Sequence, residues 1–397
     1  MFDFDELDEM ADEYGDGESS APSIAEQSLK PPRQAATIMG HDNIEQDFIQ
    51  AIQSGHLPHA MIFSGLRGIG KATMAYRLAR YILDSDNKND ALSADGGLFG
   101  DEQTKADEIQ LAHPMDMSVD KAVFRQVASG GHPDLITVER EYDEKKQKFK
   151  ADVNVDNARR LIPFMRMTAS NAHGWRVAII DDADTMNRNA QNAILKVLEE
   201  PPSNALVILV AHRVGAFLPT IRSRCRMVPF TALSKENFSI LLRKQNASLP
   251  QADIDILYEM TNGSVGQALE IIEEGGLEIV QKLLGLLYDW PDLPWTQIHQ
   301  LADNMGRNGQ DDQLKSFRDI FMWLIASLMR AKATQSDPPQ ILDTDFTRAM
   351  IEKFSLDQWT QMTDDLQSHF NQVEKAYLDK RHHILGAFSI INIKENT

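Results

Sequence analysis

The sequence is nearly devoid of cysteine. Cys225 is the single one in 397 residues, which excludes an internal disulfide framework and any zinc site built on several thiolates. Histidines are scattered without ligand spacing, so no metal site is expected. Long apolar runs are also missing. The longest, Ala205–Ala211, is far short of the ~18–20 residues that cross a bilayer as a helix. The first twenty residues, MFDFDELDEMADEYGDGESS, have neither a basic n-region nor an apolar h-region, so no secretory signal is read there. These absences predict a cytoplasmic protein with no membrane partner.

Positive charge is scarce as well. The formal net charge is −19, but residues 1–30 carry ten carboxylates against Lys30 alone, about half of the total. That stretch is polar and aperiodic, and residues 1–36 are expected to form a disordered acidic tail. The remainder is mildly acidic, so no large basic face for nucleic acid is expected. Arg222, Arg224 and Arg226 form a local basic cluster.

What is present is a chain long enough for two or three domains, with 42% hydrophobic residues. From Ile38 to Phe230 short apolar strands alternate with amphipathic helices. Strands are predicted at His59–Ser64, Asp134–Val138, Arg176–Ile180, Leu206–Ala211 and Met227–Phe230. Helices are predicted at Asn43–Ser54, Thr73–Leu83, Lys121–Ala128, Val155–Arg166 (shortened or kinked by Pro163) and Arg188–Glu200. The alternation points to an α/β fold with a parallel sheet covered on both faces. After Thr231 the pattern is entirely helical. The expected division is a nucleotide-binding domain over 37–230, with an irregular insert at 85–131, a small helical domain over 231–290 and a second all-α domain over 291–397.

Three motifs carry chemistry. Gly65-Leu66-Arg67-Gly68-Ile69-Gly70-Lys71 lies between a strand and a helix, where loop N–H groups can cradle phosphates and Lys71 can reach them. A plain glycine turn is the competing reading. Ala72 stands where a Ser or Thr hydroxyl ordinarily ligates Mg²⁺, and Thr73 follows about 100° further around the helix. Phosphate binding is expected, therefore, and metal positioning is expected to be impaired. Asp181 and Asp182 end an apolar strand, the place for a carboxylate near Mg²⁺; Asp182 is one methylene shorter than the Glu that would polarise a water. Arg224 lies in LPTIRSRC (Leu218–Cys225), between two strands. It could stabilise phosphate charge on an adjacent subunit, or form an ordinary salt bridge on a solvated edge. The tryptophans and His132 read as core, contact or turn residues. Helix Ser316–Ala331 has a broad apolar face, most of which ordinary core packing explains, while a subunit interface could account for the excess width.

The blocks NAQNAILKVLEEPP (Asn189–Pro202), LPTIRSRC, HPDLITVE (His132–Glu139) and HAMIFSGLRGIGK (His59–Lys71) resemble the bacterial clamp-loader ATPases of the AAA+ class, part of the DNA polymerase III holoenzyme. The resemblance is dense from Ile38 to Phe230 and architectural beyond. It implies an AAA+ P-loop domain, a helical lid and a helical collar that oligomerises with motor (gamma/tau) and delta subunits. It also implies a complex that places a sliding clamp on primed DNA. By that resemblance Gly65, Gly68, Gly70, Lys71, Thr73, Asp181 and Asp182 face ATP, and Arg224 is a finger acting in trans. The four-cysteine zinc module that many members carry has no counterpart in the 85–131 insert. The sensor arginine of the motor subunits' GSLRDAL segment is replaced by Gly266 in GSVGQAL. Ala72, Asp182 and Gly266 each weaken hydrolysis while Arg224 is retained, which favours a stator over a motor. An active motor ATPase and a nucleotide-independent adaptor are the alternatives.

Overall fold

The computed structural model describes residues 31–84, 115–143, 148–150, 152–170, 174–306, 311–375 and 379–392. The acidic stretch 1–30 and most of the insert, 85–114, lie outside the described residues. In the N-terminal half the elements are α1 (Asp42–Gln53), β1 (Ala60–Ser64), α2 (Lys71–Leu83), α3 (Ala122–Ser129), β2 (Leu135–Val138), a small hairpin of β3 (Tyr142–Asp143) and β4 (Lys148–Phe149), α4 (Val155–Arg159), α5 (Leu161–Arg166), β5 (Arg176–Ile180), α6 (Arg188–Glu199), β6 (Ala205–Ala211), α7 (Pro219–Arg222) and β7 (Arg226–Pro229).

β1, β5 and β6 are buried along their whole length. Continuous apolar strands of this kind can only be central strands with helices on both faces. They form a five-stranded sheet in the order β2-β5-β6-β1-β7, with every pairing parallel. Ile62 of β1 lies opposite Leu209 of β6 on one side and Met227 of β7 on the other. β6 is therefore inserted between β1 and β5, although it follows both in sequence. This puts the loops after β1, β5 and β6 side by side at one edge of the sheet.

Two local expectations are corrected. Residues 31–36, assigned to the tail, carry a 3₁₀ turn at Pro32–Gln34 and are tied down from α2. Arg80 donates to the carbonyls of Arg33 (3.0 Å) and Ala35 (2.7 Å), and Arg77 to that of Ala36 (2.6 Å). The segment has little apolar content, so its order comes from buried arginines elsewhere in the chain. The second concerns Val155–Arg166, which divides at Arg160 and not at Pro163. Pro163 falls in the first turn of α5, where its missing N–H would have had no intrahelical partner.

Helix α6 starts at a side-chain cap: Asn187 accepts from the Ala190 N–H at 2.9 Å. Asn187→Ala is expected to lower stability by about 1 kcal/mol, read as a shift of the urea midpoint at unchanged slope. An unshifted midpoint would show that the cap contributes nothing.

The second half is all-helical: α8 (Lys235–Gln245), α9 (Gln251–Thr261), α10 (Val265–Glu273), α11 (Gly276–Leu287), α12 (Trp295–Met305), α13 (Asp311–Thr334), α14 (Asp345–Lys353), α15 (Leu356–Lys375) and α16 (Arg381–Ile391). The helices α8 to α10 enclose a small core around Phe238, Leu242, Ile254 and Leu257. From α11 onward the buried residues join a larger core. The broad apolar face of α13 is consumed there: Phe317, Ile320, Phe321, Leu324, Ile325 and Leu328 are all buried. Among the described residues no helix is long and apolar enough to cross a membrane.

Candidate functional site

The loop after β1 is shaped by glycine. Gly65, Gly68 and Gly70 lie at φ of 145°, 75° and 99°, a region that side-chain-bearing residues rarely enter. Gly70 is the N-cap of α2, so the helix opens at Lys71, two residues before the expected start. Lys71 is buried and turns back over the loop. Its Nζ donates to the Gly65 carbonyl at 2.9 Å and to the Leu66 carbonyl. From the other side His41, itself buried, holds the Ile69 carbonyl through Nε2 at 2.7 Å.

Beside the loop is a cavity of about 470 Å³, within the range of small-molecule sites. One wall is apolar, from Pro31, Pro32, Ile38, Leu233, Leu241 and Val265; the other carries Arg67, Lys71, Thr73, Asp181, Asp182, His212 and Glu270. All the residues expected to face a nucleotide, apart from Gly65, line this cavity. Ala72 lines it too, and so does Thr73: a hydroxyl is present one position late.

His212, at the end of β6, organises the polar wall. Lys71 Nζ lies 3.0 Å from its Nδ1, and its Nε2 lies 2.8 Å from Asp182 Oδ1. Since an ammonium can only donate, Nδ1 is the acceptor and Nε2–H donates to Asp182. The second Asp182 oxygen pairs with Arg140 Nε at 2.7 Å. Hydrogen bonding to His212 and the charge of Arg140 hold the Asp182 carboxyl below its ordinary pKa. Asp182 also sits at φ 48°, a left-handed turn that swings it away from the strand direction. Asp181 has the opposite shift: burial, reinforced by the charge of Asp182, raises its pKa. Burial lowers that of Lys71 to about 8. Asp184, fully within the fold, fixes the end of β6 by accepting from the backbone N–H groups of His212 (3.0 Å) and Arg213 (3.2 Å).

For a magnesium ion the lining side chains leave the Asp181 carboxylate and the Thr73 hydroxyl as oxygens. Ala72 offers no oxygen, and both Asp182 oxygens are engaged by Arg140 and His212. Among the described residues no cluster of His, Cys, Asp and Glu could hold a metal ion.

Arg224 is not part of this cavity. It is exposed, with one guanidinium nitrogen donating to the Thr220 carbonyl (3.1 Å) and the other paired with Glu199 Oε1 (3.0 Å). Of the two sequence readings, the intramolecular salt bridge is the one that this pair represents. Arg222 and Arg226 are exposed beside it. His212, Arg140, Asp184 and His41 escaped the sequence reading, because their roles depend on which strand ends are neighbours.

Comparison with known proteins agrees with the motifs. A family described as "DNA polymerase III, delta subunit" matches residues 40–234. DNA polymerase III subunit delta' of Pseudomonas aeruginosa is 40% identical over 99 residues, covering 25% of this chain and 28% of that protein. Subunit delta' of Bacillus subtilis is 29% identical over 222 residues, covering 56% of each. Subunit gamma of Buchnera aphidicola is 26% identical over 246 residues, covering 61% of this chain and 58% of the relative. The chain thus spans little more than half the length of these relatives at most. Among solved structures, a DNA polymerase III gamma subunit-related protein from Thermotoga maritima overlaps with a TM-score of 0.36 at 14% identity, over 88% of this chain and 97% of that one.

Proposed function

We propose that the chain is a clamp-loader subunit of DNA polymerase III, the group of proteins its sequence is similar to, and that within that group it is a delta'-type stator. In this reading it holds a nucleotide without turning it over and presents Arg224 to the ATP of a neighbouring motor subunit. The observation that carries the proposal is the contrast between two residues. Asp182, the carboxylate in position to activate a water, is captured by Arg140 and His212. Arg224 stands exposed and outside its own cavity. A carboxylate paired with a guanidinium and an imidazole is a poor proton acceptor, and turnover also needs a positioned metal. A guanidinium at a subunit edge, by contrast, can enter a partner's site as a planar double donor. The helices of 231–290 would act as the lid and those of 291–397 as the collar that joins gamma/tau and delta subunits, with α11, which the sequence division gives to the lid, packed into the larger core. The complex would then load a sliding clamp onto primed DNA.

The test is ATP turnover by the isolated chain and by a loader reconstituted with it. We expect none from the isolated chain and turnover in the assembly that depends on Arg224. Robust turnover by the isolated chain would overturn the reading in favour of a motor.

A pH dependence follows from Lys71. Burial lowers its pKa from the ordinary lysine value of 10.5 to about 8, so the Lys71 side chain is a cation below that pH and loses its charge above it. Bound phosphate stabilises the ammonium, so binding above pH 8 must take up a proton. Nucleotide affinity is therefore expected to fall about tenfold between pH 7 and pH 9, measured by titration with a fluorescent nucleotide. A flat profile across that window would show that Lys71 does not meet the phosphates.

A further inference from the structure

The phosphate loop is clamped to helix α10 by direct backbone contact. The Gly266 N–H donates to the Gly68 carbonyl at 3.0 Å, and Ser264, fully buried, donates its hydroxyl to the Arg67 carbonyl at 2.6 Å. One turn on, Arg67 pairs with Glu270 at 2.8 Å. The two glycines leave each other no space. A Cβ on Gly266 would stand 2.8 Å from Gly68 Cα, and one on Gly68 would stand 2.6 Å from Ser264 Oγ. While this latch is closed no side chain fits at either position, and position 266 contributes backbone to the site but no charge.

The charges around the loop follow from this. Among the described residues lining the cavity, Arg67 and Lys71 are cationic while Asp181, Asp182 and Glu270 are anionic. Glu270 already engages Arg67, which leaves Lys71 facing the acidic end of β5. A phosphate chain entering here meets Lys71 and the loop N–H groups first. A terminal third phosphate adds negative charge beside Asp181, whose neighbour Asp182 is already held by Arg140 and His212, with no cation from α10 and no hydroxyl at Ala72 to hold a metal between them.

We infer that this cavity is a nucleoside diphosphate site, selective against the triphosphate, in which the Gly68–Gly266 latch stays closed whether or not it is occupied. The inference rests on the reading that the cavity takes a nucleotide, and it deepens that reading by naming the ligand. The site would then serve as a fixed joint between the sheet domain and helices α8 to α10, with no response to the presence of a third phosphate.

The test is displacement of a fluorescent ADP analogue from the full chain by ADP and by ATP, with and without Mg²⁺. We expect ADP to compete at about tenfold lower concentration than ATP without Mg²⁺, and Mg²⁺ to change that ratio by less than about twofold. Equal or tighter competition by ATP overturns the inference. Failure of the analogue to bind at all overturns it together with the nucleotide-holding half of the stator reading, and leaves the role of Arg224 standing, because that residue lies outside the cavity and is tested by turnover in the assembly. Ala72→Ser restores a metal-binding oxygen and should produce a Mg²⁺-dependent gain in ATP affinity of about fivefold or more. Absence of that gain would refute the part assigned to Ala72. Hydrogen exchange at the Gly266 amide should be equally slow with and without ADP; faster exchange on binding would show the latch opening.

Discussion

Replacing Arg224 by alanine is expected to slow ATP turnover at the adjoining motor site by about a thousandfold, the lower end of what an arginine supplied in trans contributes. The effect should appear in the catalytic step of the assembled loader and not in the stability of this chain. Arg224 is exposed, and its partners are the Thr220 carbonyl and the exposed Glu199. An ion pair of that kind contributes at most about 1 kcal/mol, so the variant should fold and assemble normally. Arg224→Lys should recover little, because an ammonium keeps the charge but loses the planar double donor. The measurement is single-turnover hydrolysis in a loader reconstituted with wild-type or variant chain. Equal rates would mean that the edge arginine is no more than a partner of Glu199.

The largest effect on stability is expected at Arg77. It is 1% exposed and lies between two carboxylates, Glu45 Oε1 and Asp116 Oδ1, each at 2.9 Å. It also donates to the Ala36 carbonyl, and Glu45 accepts in turn from the Met115 N–H at 3.0 Å. This one guanidinium thus ties α2 to α1, to the segment before α1 and to Asp116 beside Met115. Arg77→Ala strands buried negative charge, and breaking a buried pair in this way costs about 3–5 kcal/mol. Urea unfolding should show that loss, and pairing the change with Glu45→Gln should recover part of it, since one orphaned charge is then removed. A loss below about 1 kcal/mol would mean that water reaches the carboxylates.

Much of the fold was legible because its signals are local. Apolar runs bounded by charge marked the five strands of the sheet. Glycines followed by Lys71 marked the phosphate loop, since few other sequences tolerate that succession of positive φ. Asp181 and Asp182 were legible as the end of an apolar strand. Helix starts were less so. Lys71 and Ala72 lack the pattern of an apolar stripe, and it was the left-handed conformation of Gly70 that began α2 two residues early. The segment 31–36 was misread for a related reason: what orders it is Arg77 and Arg80, more than forty positions away in sequence.

The α/β class, the phosphate loop, the acid pair, the edge arginine and the resemblance to clamp-loader subunits were all legible in the sequence alone. Each of these is written in residues that are neighbours along the chain. Only the tertiary structure decided what those groups can do. Inserting β6 between β1 and β5 sets His212 between Lys71 and Asp182, and Arg140 at the end of β2 closes the chain of contacts on the far side. Placing α10 against the loop makes Gly266 a backbone partner of Gly68. Hydrogen bonds and ion pairs act over about 3 Å, so they depend on which strand ends meet. That is set by sheet order and helix packing, which no run of consecutive residues records.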